Sequence, residues 1–309
     1  MKIAIFGSGG VGGYFGGRLA AAGEDVTFVA RGAHLTTLQR DGLRITSPLG
    51  DARIATVRAT DRPQAIGPVD VVLFTVKLYD VDAAAASLAP LIGPDTVVIT
   101  LQNGVEAMDM IAQHVGARHV AGGAAYIVAV IDQPGHIRHT VAQQLVFGER
   151  DGRRSDRLVA FETAGRRAGF SAKISEDVQS VLWTKFVRLA TWSGMTTATR
   201  SPMDVVRGTP ETLAMMIAAT EEAIAVGRRR GINLPPDLMD TTLKMIADFP
   251  AGSKSSMLED FERGRRLELP WLSGAVVRIG REVGVATPIH QFINAVLTPF
   301  VDGRKERRA

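Results

Sequence analysis

The chain contains no cysteine. Disulfides, thiolate metal ligands and thiol nucleophiles are therefore excluded. Long hydrophobic runs are also missing; none approaches the ~20 residues that a membrane span needs. The first apolar run, Ile3 to Phe6, is followed at once by glycines and is too short for the core of an export signal. These absences fit a cytoplasmic protein with no membrane partner. Aromatic residues make up only 6% of the chain, few to interleave with cations on a nucleic-acid surface, and no nucleic-acid motif is visible. His136 and His139 have no partners at metal-ligand spacing, so no metal is expected. No nucleophile-elbow sequence supports Ser-His-Asp hydrolysis. Internal repeats and low-complexity tracts are absent as well.

The 309 residues suffice for two domains, and the 46% hydrophobic and 22% charged fractions are those of a soluble globular protein. The net charge is +4, with the cations scattered apart from two clusters. Arg228-Arg229-Arg230 before Gly231 reads as a helix C-terminus, where cations suit the dipole. The tail Arg304-Lys305-Glu306-Arg307-Arg308 reads as a solvated, frayed end. A cationic excess also suits an enzyme that handles phosphates and carboxylates.

The first half alternates apolar runs with helical patterns. Lys2–Phe6, Asp25–Ala30, Val69–Val76 and Thr96–Leu101 read as strands, and Gly12–Ala22 and Val81–Leu91 as helices. This alternation predicts an α/β fold with a parallel sheet covered on both faces. Leu43–Val57 reads as a hairpin about the turn Ser47-Pro48-Leu49-Gly50. Ala124–Ile131, His136–Thr140 and Gln144–Phe147 read as strands extending the sheet in antiparallel fashion. A helix (Arg157–Ala168) and a strand (Gly169–Ile174) follow. The remainder reads as helices broken by Pro or Gly, which puts a boundary near residue 172, with domains 1–172 and 173–309.

The first strand runs into Gly7-Ser8-Gly9-Gly10-Val11-Gly12 and then a helix. This strand–turn–helix context makes G-x-G-x-x-G a dinucleotide fingerprint. Gly7 permits the tight turn, Gly9 lets a pyrophosphate approach the backbone, and Gly12 lets helix and strand pack closely. The helix N-terminus offers N–H groups to phosphates. Where NAD-binding folds often place an acid at the end of the second strand, about 20 residues on, this chain has Arg31. An acid would repel a ribose 2′-phosphate, whereas Arg can pair with it, so NADP is expected rather than NAD. Lys77 follows another strand's carboxyl end; it could touch the phosphate or the adenine side, or face solvent.

Gln102-Asn103-Gly104 follows a buried strand. Together with Gly7–Gly12, Arg31 and Val76-Lys77, it resembles the ketopantoate reductase (2-dehydropantoate 2-reductase) family. Leu182-Trp183-Thr184-Lys185 resembles that family's lysine helix. Ser255-Ser256-Met257-Leu258-Glu259-Asp260, with Gly264-Arg265 and Glu268, resembles its Ser-Ser-Met…Asp…Gly-Arg…Glu signature. The resemblance implies an N-terminal Rossmann-type doubly wound domain and an all-α C-terminal domain like that of 6-phosphogluconate dehydrogenase. It implies NADPH-dependent reduction of a 2-oxo acid, 2-dehydropantoate to (R)-pantoate, on the way to pantothenate and coenzyme A.

Hydride reduction of a ketone leaves an alkoxide, which a cationic acid both stabilises and protonates. Lys185 and Glu268 are the expected catalytic pair. Asn103, Ser256 and Ser193 are expected to bind substrate, and Gly7, Ser8, Gly9, Gly10, Val11, Gly12, Arg31, Lys77 and Asn103 to bind the cofactor. Ser256 could instead cap a helix, with Glu259 completing a capping box.

The family usually places asparagines four and eight residues after its lysine; here Leu189 and Ser193 stand there. Pro270 and Ser273 replace a later Asp and Asn. Trp192 and Trp271 could make an apolar pocket or belong to the core. These departures keep two alternatives open: a sister dehydrogenase acting on another 2-oxo or 2-hydroxy acid, and a nucleotide-binding regulatory protein without turnover. A helical second domain could supply a homodimer interface.

Overall fold

The structure, a computed structural model, describes residues 1–303. The basic tail from Arg304 lies outside the described residues. The chain folds as two compact units. The first comprises 1–102 and 106–181; the second comprises Asn103–Val105 and the chain from Leu182 onward. The residue-172 position falls within the last strand of the first unit, and the division itself falls between Val181 and Leu182.

In the first unit the order is β1 (Lys2–Phe6), α1 (Gly10–Ala21), β2 (Asp25–Val29), α2 (Gly32–Asp41), β3 (Leu43–Thr46), β4 (Ala52–Ile54) and β5 (Arg58–Thr60). It continues with β6 (Val69–Phe74), α3 (Val81–Ala85), β7 (Ile92–Thr100), α4 (Ala107–Val115), β8 (Val120–Gln133), β9 (His136–Glu149), α5 (Asp156–Arg167) and β10 (Ser171–Ile174). One sheet has the order β4-β3-β9-β8-β7-β6-β1-β2-β5, with β10 added to β9. The run from β5 through β8 is parallel. β9 then turns back antiparallel on β8.

The parallel centre is buried because its strands are rich in β-branched residues: Val71, Val72, Val97, Val98 and Ile99 are all 0% exposed. The 43–57 tract is the expected hairpin, β3 on β4. The two strands expected at His136–Thr140 and Gln144–Phe147 are one strand, bent at Ala142, which has a φ of 56°. His136 and His139 join β9 to the β3 region through Thr46 Oγ1 and Ser47 Oγ, each at 2.8 Å. The helix expected over Val81–Leu91 stops at Ala85, and a 3₁₀ turn, Ala89–Leu91, follows. Pro90 sits inside that stretch and cannot donate to a helix ladder.

The second unit holds most of α6 (Val178–Thr199), then α7 (Met203–Gly208), α8 (Pro210–Arg229), α9 (Leu238–Asp248), α10 (Ser256–Glu262), α11 (Ser273–Val283) and α12 (Pro288–Leu297). Trp183, Phe186, Val187, Met203, Leu267 and Val276 lie in its core. Arg228 and Arg229 close α8, as the sequence suggests. No helix is long and apolar enough to cross a membrane, among the described residues.

Candidate active site

The residues singled out in the sequence fall into two groups, one in each unit. In the first unit the loop from Gly7 to Gly9 links β1 to α1 at the carboxyl edge of the parallel strands, where ligands of such sheets bind. Gly7 has a φ of 102°, a conformation that side chains disfavour. A Cβ there would also lie 2.9 Å from the Val76 nitrogen. A Cβ at Gly12 would strike the Gly7 carbonyl and Thr75 Oγ1, so glycine is what lets α1 close on the strand ends. Gly10 is equally confined, by the Ala129 carbonyl. Gly9 differs: a Cβ added there would meet nothing within 4 Å. Open space beside the first-turn N–H groups, which have no carbonyl of their own helix to bond, fits a pyrophosphate.

The flanking residues sit at the same edge. Arg31 follows β2 by two residues, occupies the N-cap position of α2 and is exposed. Lys77 follows β6 by three residues, begins a 3₁₀ turn and is half-buried. Ser8 is buried, and its hydroxyl donates to the Val29 carbonyl at 2.9 Å. Its side chain is thus occupied in tying the loop to β2. Val11 is half-buried at the start of α1.

Sequence reasoning missed two supports of this loop. Thr75 Oγ1 donates to the Phe6 and Gly7 carbonyls. Gln102 Nε2 donates to the Phe74 and Val76 carbonyls at 2.8 and 3.1 Å, bracing the segment after β6. Neither position carries a periodic or motif signal of that role; only the strand order brings them to the loop.

In the second unit Lys185, on α6, is half-buried. Burial disfavours its charged form and lowers its pKa to about 8, while the negative charge of Glu268 opposes the shift. Glu268 is 5% exposed, just before a 3₁₀ turn at Leu269–Trp271. Asn103 Nδ2 donates to Glu268 Oε2 at 3.4 Å. An amide, a buried carboxylate and a lysine whose ammonium form is weakened by burial are thereby gathered from three separate stretches of chain.

Ser256 does not cap α10. Ser255 does: it is extended (φ −73°, ψ 154°), and its Oγ accepts the Leu258 N–H at 3.1 Å. Ser256 is the first helical residue, so its backbone is already turned into the helix, and it is exposed. Ser255 is also held by Thr196 Oγ1 at 2.8 Å. The cap expected at Ser256 therefore falls one residue earlier. Ser193 is 0% exposed with its hydroxyl enclosed, and Ser273 likewise. Trp192 and Trp271 are half-buried.

A Rossmann-type sheet with a glycine loop at its strand ends, joined in one chain to a helical unit that bears a lysine and a buried carboxylate, is the architecture of nicotinamide-dependent oxidoreductases. Comparison with known proteins narrows the class. The family model for ketopantoate reductase PanE/ApbA matches residues 3–152, and that for its C-terminal domain matches residues 177–300. The 2-dehydropantoate 2-reductase of Mesorhizobium japonicum is 34% identical over 96% of each chain. The crystal structure of a PanE/ApbA family ketopantoate reductase from Ralstonia eutropha JMP134 is 31% identical, covers 97% of this chain and 98% of its own, and superposes with a TM-score of 0.90. That of 2-dehydropantoate 2-reductase from Geobacter metallireducens is 26% identical, covers 97% and 99%, and has a TM-score of 0.91. The chain belongs to the ketopantoate reductase family.

Proposed function

We propose that this protein reduces a 2-oxo acid to the 2-hydroxy acid with NADPH, 2-dehydropantoate being the reference substrate of its family. The reading is carried by one observation: Lys185 shares a buried site with Glu268 and has a pKa of about 8. Gly9 and Gly10 would present backbone N–H groups to the pyrophosphate while Gly7, whose N–H donates to the Val29 carbonyl, and Gly12 shape the loop, and Arg31, with Lys77 at the same sheet edge, would pair with the 2′-phosphate. The bound nicotinamide supplies the hydride.

The chain's own groups do the rest. Protonated Lys185 donates a hydrogen bond to the substrate carbonyl oxygen, and its charge strengthens that bond as the oxygen turns negative. The proton then passes from Nζ to that oxygen, leaving the hydroxyl product and a neutral amine. A general acid whose pKa lies near working pH contributes ~10²- to 10⁴-fold. Glu268 keeps the lysine charged before reaction and accepts a hydrogen bond from the new hydroxyl. Asn103 fixes the carboxylate and faces the substrate carboxyl group, which Ser256 helps to hold.

The test is loss of reduced-nicotinamide absorbance with a panel of 2-oxo acids. NADPH turnover with at least one of them supports the reading. NADPH binding without turnover of any acid refutes it and favours a nucleotide-binding regulator. A sister dehydrogenase acting on another 2-oxo acid is the second reading, favoured by Leu189 standing one helical turn past Lys185.

A further inference from the structure

The face of α6 that bears Lys185 continues, at helical spacing, through Leu189, Trp192 and Thr196. Lys185, Leu189 and Trp192 are half-buried, whereas Thr196 is buried, and Phe186, Val187 and Ala190 between them are buried in the core. The stripe beyond the lysine therefore keeps a surface outside the core, and that surface is hydrocarbon. Phe249 extends it, its ring 4.3 Å from the Trp192 ring at 40°. Val105, two residues after Asn103, adds another half-buried apolar side chain in this unit.

The polar atoms along the stripe are already used or enclosed. Thr196 Oγ1 donates to the Trp192 carbonyl at 2.8 Å and lies 2.8 Å from Ser255 Oγ, which in turn accepts from Leu258. Trp192 Nε1 and Ser193 Oγ have no hydrogen-bond partner but are covered by protein and shut away from solvent. A hydroxyl on the substrate side chain would lose water here and meet no exposed polar atom along the stripe, which opposes binding. A hydrocarbon side chain would bury apolar surface against Leu189 and Trp192 without that penalty.

We infer that Leu189, Trp192 and Phe249 form the side-chain subsite, and that this enzyme takes 2-oxo acids with hydrocarbon side chains in preference to hydroxylated ones. The inference rests on the proposed 2-oxo-acid reductase activity and names which members of that class are used. Leu189 is the specificity determinant because it stands closest along the helix to the proton donor.

A matched pair isolates the effect. 2-Dehydropantoate and 3,3-dimethyl-2-oxobutanoate share the carboxylate, the ketone and the branched C3, and differ only by the terminal hydroxyl. A site built to bond that hydroxyl would reject the deoxy analogue by up to ~10⁴-fold, whereas an apolar pocket disfavours the added hydroxyl by at most ~10²-fold. The expected result with NADPH is an equal or higher kcat/KM for the deoxy acid. Leu189→Asn is expected to move the ratio at least tenfold toward 2-dehydropantoate. A higher kcat/KM for 2-dehydropantoate in the natural protein overturns the inference while leaving the reductase reading intact, and the natural protein alone decides this if the variant does not fold. Turnover of neither acid, nor of any other 2-oxo acid, overturns both.

Discussion

Lys185 makes a quantitative demand on the pH dependence of reduction. An ordinary lysine titrates near 10.5, whereas Lys185 is lowered to about 8, first by burial and with Glu268 opposing. Because the protonated form is the one that donates, kcat/KM for reduction should be level below pH ~7 and fall above the lysine pKa. With a pKa of about 8, the group is ~90% protonated at pH 7, ~10% at pH 9 and ~1% at pH 10, each tenfold step costing ~1.4 kcal/mol of transition-state stabilisation. Oxidation of the hydroxy acid, which needs the neutral amine as base, should rise over the same range and level off above it. Glu268→Gln removes the negative charge that favours the ammonium, so the break should move to lower pH. The assay is kcat/KM at subsaturating acid across pH 6 to 10, with NADPH affinity measured at each pH to exclude a binding effect. A natural-protein profile that stays level to pH ~10, or a Glu268→Gln break at higher pH than the natural one, would refute the reasoning.

Three further perturbations address other parts of the account. Gly12→Ala drives a Cβ onto the Gly7 carbonyl and Thr75 Oγ1; overpacking of this kind costs ~1–3 kcal/mol, and calorimetry should show a lower melting temperature together with weaker NADPH binding. Arg31→Ala should weaken NADPH binding at least tenfold by isothermal titration and leave NADH binding nearly unchanged, since only the 2′-phosphate is lost as a partner. Ser255→Ala removes the cap of α10 and the partner of Thr196, an expected loss of about 1–2 kcal/mol in urea unfolding. The exposed neighbour separates the two roles, for Ser256→Ala should leave stability within ~0.5 kcal/mol and raise KM for the oxo acid.

Much of the N-terminal unit was legible because its strands are short, β-branched and separated by turn residues. The β1–glycine loop–α1 unit and the 43–57 hairpin follow from local chemistry. Helices α2 and α4 and strand β5 did not stand out, and the break after Ala85 was read through, because alanine-rich sequence favours helix until Pro90 intervenes. Lys185 and Glu268 are far apart in sequence, and each alone reads as a surface charge. Their meeting, with Asn103 joining them, is a tertiary fact that only the motif resemblance hinted at. The cap of α10 has the same origin: serine can cap at either position, and the backbone path puts the cap at Ser255 rather than at the expected Ser256.

In the proposed mechanism, reduction depends above all on one ammonium group supplying the proton to a carbonyl that has just received hydride. Lys185→Met keeps the length and burial of the side chain and deletes the charge, so it tests that dependence directly. Single-turnover oxidation of bound NADPH by a saturating 2-oxo acid should slow by ~10²- to 10⁴-fold, while NADPH affinity stays within a factor of about two. A Lys185→Met protein that oxidises NADPH at the natural rate would contradict the assignment of the proton donor.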